Sequence, residues 1–489
     1  MVAGLIAATA VAALAVPITA RADVPERGPV PLPDVSGPVT GGIRTGLPQA
    51  SPVFDLKAHG YTESEYFLTG TARSVGPVVS GAYHIPSATD TAPPPEGTQA
   101  QYRTRMTVLR PPAEKFNGWV VAEWTNVTLQ TDDNYEAYQL HEHLMREGFA
   151  MAFVSAQKQG VDGSPLALQA WDPVRYGTLH HPGDAYSYDI FSQALAALRH
   201  GNELSVDPMA GLPVRRLIAD GASQSCGALD TYLTYVGPTA RLADGYLPMI
   251  CGAAPLRGST VVPEDSAPAL WVNSESEAQR STDEVPGVVP SVAPGPDSAA
   301  FRIWEVAGSS HVENFAMSQV LAVHARDTAS AGGRVAALPA WNPNPERRYT
   351  QAGASVCLNL FPMRYASIAA VEALRRWITT GHAPDSARFV RDSTGAVVRD
   401  RDGNITGGVR LPAIAVPVAT YAGTDCGPLM GSTIAFSAQR LAALYPSRAE
   451  YLAKVRSATQ LARKRGWLLA PEAQEFLQLA RRVQLPDAE

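Results

Sequence analysis

The sequence carries no dense block of lysine or arginine: 40 basic residues are spread among 46 acidic ones, for a formal net charge of −6 and a pI near 6.0. Such a charge pattern gives no electrostatic footprint for nucleic acid or an anionic membrane, so neither is expected as a partner. Past the N-terminal segment no run reaches eighteen consecutive apolar residues, and the mature chain is expected to have no membrane span. There is no internal repeat to support a structural or adhesive role. Metal patterns are weak as well. Asp400, Asp402 and Asn404 begin like a calcium loop, but Ile405 stands where Gly is needed and Leu411 where Glu is needed. His180, His181 and Asp184, and the pair His141 and His143, are spaced so that their side chains diverge. No metal and no cofactor are expected.

What is present is ordinary for a folded protein: 489 residues, 45% apolar and 18% charged, enough for a large core. Val2 to Pro17 are almost wholly apolar and small, and lead to Ala20, Arg21, Ala22, an A-x-A site. The run is too short to span a bilayer comfortably, so residues 1–22 read as a removable secretion signal cleaved after Ala22, although the usual basic start is missing. A secreted or periplasmic location is expected, with no membrane contact after cleavage. Four cysteines fit that compartment as two disulfides. Of the three pairings, Cys226 with Cys251 and Cys357 with Cys426 is favoured, each worth roughly 3 to 4.5 kcal/mol by loop closure.

Residues 23–52, rich in Pro, Gly and Val, read as an extended leader before a single domain over 53–489. Tyr61 to Ala72 and Tyr102 to Arg110 alternate as half-buried antiparallel strands do; Trp119 to Trp124 is a continuous apolar run, the mark of a strand buried on both faces. Helices and strands then alternate: helix Tyr138 to Gly148, strand Phe149 to Ser155, helix Tyr188 to His200, and strands Leu217 to Asp220, Tyr246 to Ile250, Ala269 to Asn273 and Phe301 to Val306. A doubly wound, mostly parallel sheet follows. A helix from about Arg364 to Ile378, a hairpin at Asp402 to Asn404 and two capped helices, from Ser447 to Gly466 and from Pro471, close the chain. Loop excursions near 157–185, 255–268 and 281–298 are expected on the surface.

The stretch Leu217 to Tyr235, LIADGASQSCGALDTYLTY, organises the rest. Strand, sharp turn and helix lift the hydroxyl of Ser223 clear, as a nucleophile elbow does, with Ser225 at the last position of G-x-S-x-G; a plain helix cap is the competing reading. A hydrolytic serine needs an acid and a base, which follow in the order Ser, Asp or Glu, His. Glu275 and Glu277 follow one later strand and His311 the next. Glu277 is the favoured acid because loops of this kind present the carboxylate a few residues beyond the strand. The oxyanion hole needs the backbone of Gln224 and a donor from Thr125, Asn126 or Val127, with Asn126 able to offer its amide as well, or else simply to cap its loop. Asp184 reads as the cap of a helix beginning near Tyr186, with His180, His181 and Asp184 lining the active-site mouth as the alternative.

The blocks GYTESEYFLTGTA, YRTRMTVLRP, FNGWVVAEWTNVT, DPVRYGTLHHPGDAYSYDIFSQA, GASQS and FRIWEVAGSSH resemble those of a bacterial family of secreted α/β-hydrolase-domain esterases, over about residues 35–480. The resemblance implies an α/β-hydrolase fold: a mostly parallel doubly wound sheet with antiparallel N-terminal strands and helical C-terminal additions. It also implies a triad of Ser223, Glu277 or Glu275, and His311. The expected activity is cleavage of a small-molecule carboxylic ester through an acyl-enzyme. An acyltransferase or lactonase with the same triad, or a noncatalytic binder on the same scaffold, are the alternatives. Cleavage after Ala22 predicts that exported protein begins at Asp23, which N-terminal sequencing checks; exported material that starts upstream of Asp23 would overturn it.

Overall fold

Because successive residues of a strand face opposite ways, a strand apolar throughout must lie between two layers. In the computed structural model the apolar runs form one nine-stranded sheet, with strands β1 (Asp34–Ser36), β2 (Thr62–Arg73), β3 (Gln99–Arg110), β4 (Trp119–Trp124), β5 (Ala150–Val154), β6 (Arg216–Ala222), β7 (Gly245–Met249), β8 (Ala269–Asn273) and β9 (Phe301–Glu305). Their order is β1-β2-β3-β5-β4-β6-β7-β8-β9. The pairs β1 with β2, β2 with β3 and β3 with β5 are antiparallel and all later ones parallel. The structure describes residues 29–44, 46–75, 94–251, 262–279, 295–328, 341, 344, 350–351, 354–355, 359–427 and 429–486. The expected signal at 1–22, the start of the leader, Cys357 and much of the 255–268 and 281–298 excursions lie outside them.

Val120, Ala122 and Trp124 of β4 join one core, to which helix α2 (Ser187–Arg199) supplies Ile190, Phe191, Leu195 and Leu198. Val121 joins the other core, built by α1 (Tyr135–Glu147), α5 (Met363–Thr380), α6 (Arg448–Lys464) and α7 (Ala470–Ala480). Each such fully buried aliphatic side chain contributes about 1.5–3 kcal/mol. Helix α3 (Gln224–Thr231) follows β6, and α4 (Asn314–Asp327) follows β9. Strand β4 lies between β5 and β6, so the winding direction reverses there and opens a crevice at the C-terminal strand ends.

Three expectations need correction. The middle of β2 is not half-buried: Tyr66, Phe67 and Leu68 are all buried, Tyr66 and Leu68 in the sheet core and Phe67 against Trp171 and Tyr176. The reason is that the 157–185 excursion folds back over this strand rather than projecting outward. Strand β1, inside the leader, pairs with β2, a contact only tertiary structure creates. Helix α4 was not foreseen, being capped by Glu313, whose carboxylate accepts from the Ala316 N–H at 2.7 Å, rather than by a usual cap residue. The closing helices stand as expected, Ser447 accepting from the Glu450 N–H and Pro471 in the first turn of α7.

Cys226 of α3 is disulfide-bonded to Cys251 just after β7, with Cα atoms 5.4 Å apart, and Cys426 is also disulfide-bonded. Among the described residues no helix is long and apolar enough to cross a membrane. Asp400 spends Oδ1 on the backbone N–H groups of Asp402 and Asn404, forming the expected hairpin turn, and Asp400 and Asp402 meet Arg410 and Arg440.

Three carboxyl groups are buried where β4, β6 and the start of α1 meet. Glu123 and Asp220 are paired in register, and Glu123 accepts the N–H groups of Glu136 and Ala137, at 3.0 and 3.2 Å. Both carboxyl oxygens of Glu136 and Oδ1 of Asp220 lack a hydrogen-bond partner. Burial first, and then crowding by like charges, pushes Glu123 and Glu136 well above the usual carboxylate range; burial pushes Asp220 up to about 8. Between the ordinary Asp value and about 8 the native state holds a proton that the unfolded chain has lost, so this group's stabilisation falls as pH rises across that window. Asp220→Asn is therefore expected to gain on the natural protein by about 3 °C in Tm between pH 5 and pH 9. A Tm difference independent of pH, in a scanning-fluorimetry series, would refute this.

Candidate active site

Strand β6 ends at Ala222 and α3 starts at Gln224, leaving one residue to make the turn. Ser223 makes it at φ 57°, ψ −117°, a region that side-chain-bearing residues rarely enter. Such strain costs on the order of 1–3 kcal/mol and persists only where surroundings hold it. Here Ser225 does so. Its hydroxyl accepts from the Ala222 N–H at 3.1 Å and donates to the Ala222 carbonyl at 2.9 Å, closing the turn from the position where glycine is usual. The Ser223 N–H donates to the Met249 carbonyl at 3.1 Å, and the Cys226–Cys251 disulfide ties the new helix to the end of β7.

The next two parallel strands bring the other groups. Ser223 Oγ lies 2.7 Å from His311 Nε2, and His311 Nδ1 lies 2.6 Å from Glu277 Oε1. The second Glu277 oxygen accepts from the Ser274 N–H at 2.8 Å and from the Ser274 hydroxyl at 2.5 Å. The His311 N–H donates to Ser276 Oγ at 2.9 Å, which in turn donates to the Gly423 carbonyl at 2.8 Å. Tyr135 reaches the His311 carbonyl from α1 at 3.3 Å. Glu277 and His311 are both buried.

Glu275 goes elsewhere. It sits two residues before Glu277 on the short helical turn Glu275–Gln279, and residues two apart on a helix do not share a face. Its carboxyl accepts from the Gly423 N–H and lies 3.3 Å from Arg399 Nη1, which fastens the 399–423 segment to the acid turn. Burial, against the lowering effect of Arg399, leaves its pKa raised to about 7.

Asn126 ties the loop after β4 to its neighbours. Its N–H donates to the Asp133 carbonyl at 2.9 Å and its amide to the Ala222 carbonyl at 2.9 Å, so both kinds of donor are spent joining the β4 loop to the end of β6. The Val127 N–H instead meets the elbow, at 3.2 Å from Gln224 Oε1. That side chain also exchanges hydrogen bonds with the Gln157 amide, at 3.1 and 2.5 Å. The Gln224 backbone N–H belongs to the first residue of α3, where the helix dipole favours negative charge.

Asp184 does not cap α2. A short helical turn, Asp184–Tyr186, intervenes, and the Asp184 carboxylate accepts the Lys158 N–H at 2.8 Å instead. His181 is buried and kept neutral by that burial, 3.0 Å from the Ala156 carbonyl, while His180 is exposed. His141, pushed down to about 4 by burial, stacks on Phe54 with ring centroids 4.0 Å apart; His143 meets Glu372. Among the described residues no cluster of three metal-ligating side chains occurs. The sequence reading passed over Ser274, Ser276, Tyr135 and Gln157. The alternation Ser-Glu-Ser-Glu was the one visible trace of the first two.

Residues 35–478 match the model of a family described as alpha/beta hydrolase domain. No curated protein matches the chain. Among solved structures, it is similar to the esterase Est22 at 13% identity, over 44% of this chain and 64% of that one, with a TM-score of 0.26. It is also similar to brefeldin A esterase, a bacterial homologue of human hormone sensitive lipase (15% identity, 42% and 44%, TM-score 0.23), and to a thermostable esterase from Pseudomonas putida ECU1011 (14% identity, 46% and 67%, TM-score 0.25). The chain thus spans less than two thirds of the length of Est22. With the family model covering nearly all of the sheet, the elbow and the closing helices, the chain belongs to the alpha/beta hydrolase domain family.

Proposed function

We propose that the chain is a serine hydrolase that cleaves a small-molecule carboxylic ester through an acyl-enzyme on Ser223. The observation that carries this reading is the unbroken hydrogen-bonded series from Glu277 through His311 to Ser223 at a strained turn. In this scheme His311 Nε2 takes the Ser223 proton as Oγ attacks the ester carbonyl, and returns it to the departing alcohol oxygen. Water then attacks the acyl-enzyme, giving its proton to His311, and as the acid is released the departing Ser223 oxygen takes that proton back from His311, restoring both groups. Glu277 keeps a proton on Nδ1 and stabilises the imidazolium without taking that proton itself. The tetrahedral oxyanion is received by the Gln224 backbone N–H and by the Val127 N–H, once it displaces the Gln224 side chain.

The same reading takes residues 53–489 as one hydrolase unit made for export. The Cys226–Cys251 disulfide and the apolar N-terminal segment support export. The core shared by the sheet and the two closing helices supports a single unit.

A fluorophosphonate probe is expected to label Ser223, with the label lost in His311→Ala. Ser223→Ala is expected to lower kcat/KM on an ester panel by at least about a thousandfold. An unchanged rate would end the proposal. Glu277→Gln is expected to lower kcat by about a hundredfold or more, whereas Glu275→Gln keeps it within about tenfold, because only the former orients His311. Equal losses in the two variants would assign the acid wrongly.

A further inference from the structure

Helix α5, the loop after it and the connection between α6 and α7 border a surface-open cavity of about 420 Å³. None of its lining residues belongs to the elbow, the acid turn or the His311 loop. Trp304, Ala369, Ala373, Leu468 and Leu469 supply its apolar lining. Four cationic residues line it: Arg376 from α5, Arg463 and Lys464 from the last turn of α6, and Arg465 just beyond it. Two acids also line it. Glu372 is already answered by Arg375 at 2.9 Å and His143 at 3.1 Å, which leaves Asp385 against the four cations.

A helix C-terminus favours cations, and that accounts for Arg463 and Lys464, in the last turn of α6. It does not account for Arg376, which arrives from a different helix, or for a cavity whose lining joins an indole and aliphatic side chains to the charges. Arg465 lies beyond α6, its guanidinium 4.7 Å from the Trp467 ring centre. A local cationic excess also runs against the chain's net charge of −6. An apolar lining takes a hydrophobic body, and clustered cationic residues take an anionic head.

We propose that this cavity binds an amphipathic organic anion, with an aromatic or aliphatic body and a single carboxylate, sulfate or phosphate head. The proposal does not depend on the ester-hydrolase reading. The test is isothermal titration of the full-length protein with 2-naphthoate and decanoate, beside the neutral 2-naphthamide and inorganic phosphate. One-to-one binding of at least one organic anion is expected, with 2-naphthamide and phosphate at least about tenfold weaker than it. Arg376→Gln combined with Arg465→Gln, both exposed, is expected to weaken that binding at least about tenfold with Tm unchanged, and Ala373→Trp to abolish it by filling the cavity. The proposal is overturned by an absence of saturable binding of both organic anions, by equal affinity for the amide or for bare phosphate, or by affinity unaltered in the doubly substituted protein.

Discussion

The positive φ of Ser223 is the constraint on which the functional region depends. A serine there is strained, and strain survives only where the flanking backbone has nowhere to relax. Strand β6 provides that condition by being hydrogen-bonded on both sides, to β4 and β7, and buried along Leu217–Ala222. The Ser225 hydroxyl and the Cys226–Cys251 disulfide close the far side of the turn. A glycine at 225 could give a tight turn, but it could not bracket Ala222 in this way; the departure from the usual pentapeptide therefore has a local structural reason.

Buried carboxyl groups in this chain meet two fates, decided by their hydrogen bonds. Glu277 is surrounded by hydrogen-bond partners, with Ser274 supplying two donors and His311 Nδ1 at 2.6 Å, the kind of pairing a buried carboxyl group needs. Glu136 and one oxygen of Asp220 have none, and burial keeps those groups protonated well above the usual carboxylate range. Glu275 lies between, with the Gly423 N–H and Arg399 only partly offsetting its burial. Buried carboxyl groups thus bridge to a histidine, sit without partners in the interior or strap two segments together, according to what faces them.

The sequence by itself determined strands β4 to β9 and the two-sided burial of β4, because continuous apolar runs alternating with amphipathic helices have few other solutions, whereas β1 and the full burial of mid-β2 were not legible in it. It also determined the order Ser223, acid, His311, since each residue follows a recognisable strand. Tertiary structure decided the rest. Glu277 rather than Glu275 meets His311 because a short helical turn sends side chains two apart in different directions. Asn126 is spent on Ala222 and Asp133, and Asp184 on Lys158, because the nearest donors and acceptors come from segments distant in the chain. Periodicity reports which face of an element is buried, but not which neighbour a polar side chain on that face will find.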